Sequence, residues 1–446
     1  MFILSFNCGS SSVKYQLYNW DRKEIIAKGI VERVTIGNSF CIHEVNRKKK
    51  VTLKHECATH REAIKLIIEN LIHPEHGAIP DLSNISAVGH RVVHGGEKFS
   101  KSTIIDKDAL KTFKELADLA PLHNPPNIMG IEAAMELLPN IPHMAIMDTA
   151  WHQTMPPYVY TYAVPHEWYK KYGIRRYGFH GTSLLYVAKR AAVLLNKDPF
   201  ECNLISCHIG NGVSINAVKN GFSYDTSMGF TPLEGAIMGT RAGDHDAALD
   251  LYVMQKEGYS PQEMDKILNK KSGILGITGE YIDRRDVLEA AAKGSEIAKL
   301  AIEMECYRLK KYIGAYTAVL GRLDALIFTA GVGELSDIIR AKVLTGLDIL
   351  GIKYDPEKNK IARTRNAELD ISADDSQVKI FIIPTDEELV FVEDVVALLK
   401  GNYDLHDNFK YTFQAPDYVN LMRGKSFEKE CKDKPELLKL RIDRDN

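Results

Sequence analysis

Polar and cationic side chains gathered beside glycines mark where this chain could handle phosphoryl groups. Asn7, Gly9, Ser10, Ser11 and Ser12 lie between the apolar run Phe2–Phe6 and the alternating Val13, Tyr15 and Leu17. Such a turn offers backbone N–H groups and three hydroxyls, with the Lys14 ammonium one pleat beyond, a set able to hold phosphoryl oxygens. Taken alone, the stretch reads equally as a plain polar hairpin. The plan returns at Leu204–Gly221, where His208, Ile209, Gly210, Asn211 and Gly212 separate an apolar strand from alternating Val213, Ile215 and Ala217. Two strand–turn–strand units about two hundred residues apart imply a duplicated domain.

A third polar turn, Ala330–Glu334, follows the apolar strand Ala325–Phe328 and precedes a helix expected near Ser336. Backbone donors at a helix N-terminus suit a phosphate or a nucleoside. The strand Ile85–His94 runs into Arg91, His94, Gly95 and Gly96, Met144–Met147 ends at Asp148, and Ile380–Thr385 ends at Asp386, Glu387 and Glu388. Open α/β sheets place ligands at these carboxyl ends. Thr231–Asp246 carries Arg241 in a glycine-flanked loop, and Ile282–Val287 carries Asp283 and Arg285.

The elements that must hold these groups follow from periodicity. Residues 23–55 read as further strands of the first sheet, with the charged patch Arg47–Lys50 at a hairpin end. Thr59 and Glu62 form a capping-box pattern opening an amphipathic helix with Ala63, Ile64, Ile67, Ile68 and Leu71. Leu122–Pro126 punctuates two helices, and the Tyr- and Pro-rich 151–177 reads as a crossover to a second domain. Further helices are expected at about 184–195, from Ser260 and Pro261, over Ser295–Leu320, and from Asp386 to about Lys400. Residues 401–446 are charge-balanced and weakly periodic, an appendage with no assigned role.

Other chemistries are disfavoured. Gly210-x-Gly212 and Gly331-x-Gly333 lack the third glycine of a dinucleotide fingerprint, having Ile215 and Ser336 there. Gly424-Lys425-Ser426 resembles the end of a P-loop, but Val419 occupies the earlier glycine position and no convincing strand precedes it. His90 and His94 have no zincin glutamate, and the seven cysteines, at 8, 41, 57, 202, 207, 306 and 431, include no C-x-x-C pair. With Lys+Arg at 57 against Asp+Glu at 59, nucleic acid and anionic membranes are not general partners. There is no signal-like start and no run of about 18 apolar residues, so a cytoplasmic protein is expected.

The motifs NCGSSSVK at 7–14, HRVVHGG at 90–96, APLHNPPN at 120–127, DTAWHQTMP at 148–156, YGFHGTS at 177–183, HIGNG at 208–212, DTSMGFTPLEG at 225–235, MGTRAGD at 238–244 and PTDEEL at 384–389 resemble, in order, those of the acetate kinase family. The resemblance implies an α/β fold of two duplicated domains, as in sugar kinases, actin and chaperone ATPases, with an interdomain nucleotide cleft. It divides the chain into 1–150 plus 385–400, 151–384, and the extension 401–446. It implies reversible transfer of the ATP γ-phosphoryl to acetate, giving acetyl phosphate and ADP, with propionate or another short-chain acid as the alternative acceptor. Magnesium, or Mn²⁺, would be the metal, held by Asn7 and Glu387, and the protein would be a homodimer.

Carried over residue by residue, the resemblance makes Asp148, His180 and Arg241 catalytic. Arg91 would bind the acyl substrate's carboxylate or phosphate, with Val93, Leu122, Phe179 and Pro232 around its methyl group. Ser10, Ser12, Lys14, His208–Gly212, Asp283, Arg284, Arg285, Gly331, Val332, Gly333, Glu334 and Leu335 fall at nucleotide positions. Leu335 stands where the family usually has asparagine, a change bearing on one nucleoside hydrogen bond. Glu280–Arg284 replaces a more usual Ser-Ser-Asp-hydrophobic run, and Asp386 adds a charge where asparagine is common.

Phosphoryl transfer needs positioning and charge neutralisation more than covalent chemistry. Lys14, Arg91, His180, Arg241 and Arg285, on separate loops, form a local cationic set suited to the equatorial oxygens. A carboxylic acid acceptor is ionised at neutral pH and needs no base. Asp148 is therefore expected to orient the metal through water or to position Arg241. A sugar or polyol kinase would need that base, and a non-enzymatic ATP switch would not need both His180 and Arg241.

Overall fold

The computed structural model describes residues 1–446 except 47, 49, 121, 122 and 443–446. The chain forms two compact units, Met1–Gln153 with Asp386–Thr412, and Thr154–Thr385 with Phe413–Asn446. The C-terminal stretch is thus shared, 401–412 packing with the first unit and 413–442 with the second.

The first unit is built on strands β1 (Phe2–Cys8), β2 (Ser12–Asn19), β3 (Glu24–Glu32), β4 (Phe40–Val45), β5 (Val51–Lys54), β6 (Ile85–Val92), β7 (Thr103–Ile104) and β8 (His143–Met147). Their order is β5-β4-β3-β2-β1-β6-β8-β7. The run β3-β2-β1 is antiparallel, while β6 and β8 continue it in parallel. Period-2 alternation gives the sheet two apolar faces. Leu4, Phe6 and Cys8 share one core with Ile64 and Ile67 of the helix His60–Leu71 and with Ala134 of the helix Asn124–Leu137. Ile3, Ala87, Met144 and Ile146 face Phe391, Val392, Val395 and Val396 of the helix Glu387–Leu399. Each Leu, Ile, Val, Phe or Met among these stabilises the fold by roughly 1.5–3 kcal/mol on burial. The helix His60–Leu71 starts where Thr59 accepts from the Glu62 N–H and Glu62 reaches back, as the capping pattern requires.

The second unit repeats the plan with β9 (Leu204–Ile209), β10 (Val213–Lys219), β11 (Phe222–Thr226), β12 (Ala325–Thr329), β13 (Leu369–Asp370) and β14 (Lys379–Ile382), in the order β11-β10-β9-β12-β14-β13. Again three antiparallel strands are followed by two parallel ones, and a short antiparallel strand closes the edge. The two hairpins singled out in the sequence, β1-β2 and β9-β10, therefore occupy equivalent places in two like-ordered sheets. The helix Glu296–Leu320, capped by Ser295, buries Ala298, Ile302, Leu309, Ile313 and Tyr316 at helical spacing.

One expectation changes. Ala330–Glu334 is not an open turn: it lies in a short helix, Ala330–Leu335, and Ser336 then caps a second helix, Asp337–Leu344. The C-terminal stretch, given no role from the sequence, packs tightly: Tyr411, Phe413, Phe427 and Leu437 are each 2 % exposed or less. Among the described residues no helix is long and apolar enough to cross a membrane. The cysteines are unpaired, with all but Cys431 buried.

Candidate active site

At the carboxyl ends of the first sheet, β6 delivers Arg91 and β8 leads into Asp148. They meet in a bidentate pair, Nε to Oδ1 at 2.9 Å and Nη2 to Oδ2 at 2.6 Å. The Asp148 side chain is 4 % exposed and that of Arg91 is 30 % exposed, so the guanidinium keeps an open edge for an anion. The carboxylate beside it holds the Arg91 pKa above its ordinary value. Arg241, the expected partner of Asp148, belongs to the other unit; within the first unit both Asp148 oxygens are held by Arg91. The loop after β6 is fastened from the helix Asn124–Leu137. Asn127 accepts from the Val93 N–H and donates to the Cys8 carbonyl, and Asn124 accepts from the His94 N–H and donates to its carbonyl. Neither asparagine was assigned a role from sequence, although both lie in the APLHNPPN motif. Of the methyl-pocket residues in this unit, Val93 sits on that loop, and Leu122 lies outside the described residues.

Asn7 and Lys14 are direct partners across β1-β2 and so lie on one face. By alternation that face carries Ile3, the side covered by the helix Glu387–Leu399. Asp386 caps this helix, accepting from the Leu389 N–H at 3.1 Å, and Glu387 is its first residue. Glu387 is pushed up to about 7 by burial, with Asp148, Glu388 and Asp386 adding to the rise and Arg91 opposing it. Among the described residues its carboxylate has no hydrogen bond, and no group of three or more His, Cys, Asp or Glu is arranged as a complete metal cage. Magnesium needs no such cage. It takes one or two protein oxygens and completes its shell with water and substrate phosphate. The oxygen donors Asn7 and Glu387 fit that demand, and a divalent charge would relieve the crowding of carboxylates around Glu387. Of the serines of the turn, Ser10 is exposed and Ser12 half-buried. His60 fixes the turn through the Gly9 carbonyl at 2.7 Å.

In the second unit His180 adopts a left-handed backbone, φ 58° and ψ 26°, immediately before the helix Gly181–Leu194. A non-glycine residue in this region stores about 1–3 kcal/mol of strain, a cost usually retained for function. Its Nδ1 is hydrogen-bonded to Ser214 Oγ at 2.9 Å and its ring stacks on His208 at 4.2 Å. His208 is held in turn by Ser183 at 2.8 Å. A Cβ placed on Gly212 would lie 3.1 Å from His180 Cε1 and 3.6 Å from Arg241 Nη1. Glycine at that position therefore lets the backbone of the second hairpin turn approach the His180 ring closely, with Arg241 at ordinary contact distance. Arg241 forms no ion pair among the described residues, and burial lowers its pKa. Its nearest polar partners are the Pro232 carbonyl at 3.5 Å and Met238 Sδ at 3.8 Å. A desolvated guanidinium without a carboxylate is a receptor for an anion.

The loop carrying Pro232 and Arg241 is anchored by residues that the sequence reading left without a task. Arg176 donates to the carbonyls of Thr226, Ser227 and Met228 and pairs with Glu234 at 2.5 Å. Tyr162 bonds Glu234 and accepts from the Phe230 N–H. Arg308 and Tyr312, from the long helix, hold Gly235 and Asp244. Phe179, next to His180, is buried.

A cavity of about 720 Å³ in this unit is lined by Gly210, Asn211, Asp283, Arg284, Arg285, Gly331, Val332 and Leu335, uniting three segments assigned to the nucleotide. Within it Arg284 is tied to Glu305 at 2.8 Å, a buried pair, and so acts on the wall. Arg285 is exposed and paired with Asp283, which it holds down at about 2. Glu334 lies behind the wall, paired with Arg365 at 3.2 Å. Leu288, Ser336, Asp337, Ile338, Arg363, Arg365 and Lys434 complete the lining and were not anticipated.

These are the parts of a site for phosphoryl-bearing anions, carried on a duplicated α/β fold. Residues 2–393 match the model of the Acetokinase family. Over 419 residues, 94 % of this chain and all of the other, the sequence is 61 % identical to the acetate kinase of Geobacter sulfurreducens. Over 445 residues, spanning this whole chain and 99 % of the other, it is 55 % identical to that of Treponema pallidum. Among solved structures, acetate kinase of Porphyromonas gingivalis superposes with a TM-score of 0.85 at 43 % identity, covering 89 % of this chain and 99 % of the other. A propionate kinase of Francisella tularensis gives 0.82 at 41 % identity, with the same coverage. The chain belongs to the acetokinase family, whose members are phosphotransferases.

Proposed function

We propose that this protein catalyses direct, reversible transfer of the ATP γ-phosphoryl to acetate, forming acetyl phosphate and ADP. The observation that carries the reading is the approach of His180 and Arg241 to the Gly212 turn, an imidazole and an unpaired guanidinium beside backbone donors. Charge developing on a transferring phosphoryl is stabilised by such pre-placed groups. Arg91 receives the carboxylate or phosphate of the acyl substrate, and Asp148 holds Arg91 in its orientation. The acceptor oxygen is already anionic, so no base is assigned. Asn7 and Glu387 hold Mg²⁺, or Mn²⁺ in its place; when bound, the ion neutralises nucleotide phosphate charge. Lys14, Ser10 and Ser12 contact nucleotide phosphate, and the cavity residues, from Gly210 through Leu335, take the nucleoside.

The test is hydroxamate formation from ATP, hydroxylamine and a panel of acetate, propionate, butyrate and glycerol. Only an acyl phosphate traps as hydroxamate, so silence with every acid sinks the reading. Propionate is kept as the second acceptor because the propionate kinase of Francisella tularensis superposes nearly as well. One methylene in an apolar pocket is worth only about 1–3 kcal/mol.

We further infer a homodimer working in the cytoplasm. The dimer is supported by Ile297, Leu300, Met304 and Tyr307, which form an exposed apolar stripe at helical spacing on Glu296–Leu320. The location is supported by the unpaired cysteines.

A further inference from the structure

The C-terminal segment meets the nucleotide cavity at two points. Lys434, at the end of the helix Leu421–Asp433, is on the cavity rim, and its ammonium has no ion-pair partner among the described residues. Glu430, one turn earlier, accepts from Thr364 Oγ1 and from Asn366 Nδ2 at 3.0 Å. Thr364 and Asn366 alternate with Arg363 and Arg365, and it is these two arginines that line the cavity. The stretch 363–366 thus has two sides, one held by the C-terminal helix and one presented to the ligand space. On the ligand side Arg363 donates to the Leu335 carbonyl at 3.2 Å, and Arg365 pairs with Glu334. The Arg365 guanidinium lies over Gly331, where an added Cβ would come within 2.8 Å of Nη2.

The helix is firmly seated on its own unit. Phe427 is 2 % exposed, and Arg423 donates to the carbonyls of Pro384 and Thr385 at 2.6 and 2.5 Å. Lys434 is therefore presented from a fixed support.

We propose that the C-terminal segment is part of the nucleotide site, with Lys434 a further cation contacting the anionic nucleotide and Glu430 a positioning residue for Arg363 and Arg365. The proposal rests on reading this cavity as the nucleotide's. It implies that a family member with this extension binds nucleoside diphosphate with more positive charge around it than the motif residues alone supply.

The test uses the full-length protein and ADP alone, titrated calorimetrically without acyl substrate. Lys434→Ala, an exposed change, should weaken ADP about fivefold to tenfold, the effect of losing one charge-assisted contact. Lys434→Arg should stay within about twofold, since the charge is kept. Glu430→Ala should raise KM for ATP while leaving KM for the acyl substrate unchanged, with kcat at saturating ATP nearly kept. A merely structural role for Glu430 would lower the melting temperature without that split. ADP affinity unchanged in Lys434→Ala overturns the proposal. If ADP binds as expected but no acid yields hydroxamate, the acyl-kinase reading fails and this one stands; if ADP does not bind the unaltered protein, both fall.

Discussion

Asp148 illustrates how a residue's task changes once its partner is known. A strand-end aspartate in a kinase invites the role of base, yet this one spends both oxygens on Arg91, and the acceptor carries no proton to remove. Asp148→Asn should lower kcat about a hundredfold, the scale expected when a substrate-binding group is misplaced by an ångström. Added external base should give no recovery; recovery in steady-state assays would restore the proton-transfer role. Arg241→Ala should depress kcat more than either KM, because a guanidinium without a counter-ion gains most as transition-state charge develops. A change confined to KM would refute that. Gly212→Ala is a sharper probe, since a methyl 3.1 Å from the His180 ring crowds it by a few tenths of an ångström. Activity should fall while the circular dichroism spectrum is unchanged.

At the level of elements, the returning helix Glu387–Leu399 is held by more than apolar contact. Asp394 is fully buried and accepts from Ser102 at 2.7 Å and Tyr411 at 2.8 Å, with His406 at 3.1 Å. Asp394→Ala leaves these donors unmet and should cost about 3–5 kcal/mol, read as a lower urea midpoint. A second element-level effect is acid sensitivity. His90 and His143 share a hydrogen bond at 2.9 Å between β6 and β8, and burial lowers both pKa values, that of His90 well below the ordinary range. A depressed folded-state pKa gives stability that is present above the unfolded value of about 6.5 and is lost as pH falls below it. Glu387 and Glu393, both raised to about 7, act with the opposite sign in the same window. The informative measurement is therefore the stability difference between the native protein and His90→Gln, which should shrink between pH 7.5 and 5.5.

These elements also define what the sequence could convey. Both hairpins, the capping box at Thr59 and the strand ends at Arg91 and Asp148 were legible because periodicity and glycine placement are local signals. The helical form of Ala330–Leu335 was not, since its two glycines argue for a turn and its shape is set by packing against β9 and β12. Nor were the roles of Asn124, Asn127 and Arg176, whose partners lie at long range. The packing of 413–442 was hidden because few apolar anchors, Phe413, Phe427, Leu437 and Leu440, are spread through polar sequence.

At the scale of the whole molecule, the cavity proposed for the nucleoside is lined by residues of the second unit. ADP at a hundred times its Kd should stabilise by about 2.7 kcal/mol, by mass action. Scanning calorimetry should show the larger part of this in the transition that includes the second unit, with a smaller part from the first-unit contacts at Ser10, Ser12 and Lys14; a shift confined to the first unit's transition would argue against that location. The exposed stripe on Glu296–Leu320 makes a further prediction, that Met304→Lys converts a dimer to a monomer in sedimentation velocity.

The first unit is assembled from both sides of the second, from 1–153 and again from 386–412. During synthesis its sheet waits for its covering helix while some 230 residues of the other unit emerge, roughly 12–50 s at ordinary elongation rates. Throughout that time the face bearing Ile3, Ala87, Met144 and Ile146 has no lid. A nascent chain halted near residue 160 should therefore need a chaperone to remain soluble, and a fragment ending at 153 should aggregate unless residues 386–412 are supplied as a separate peptide.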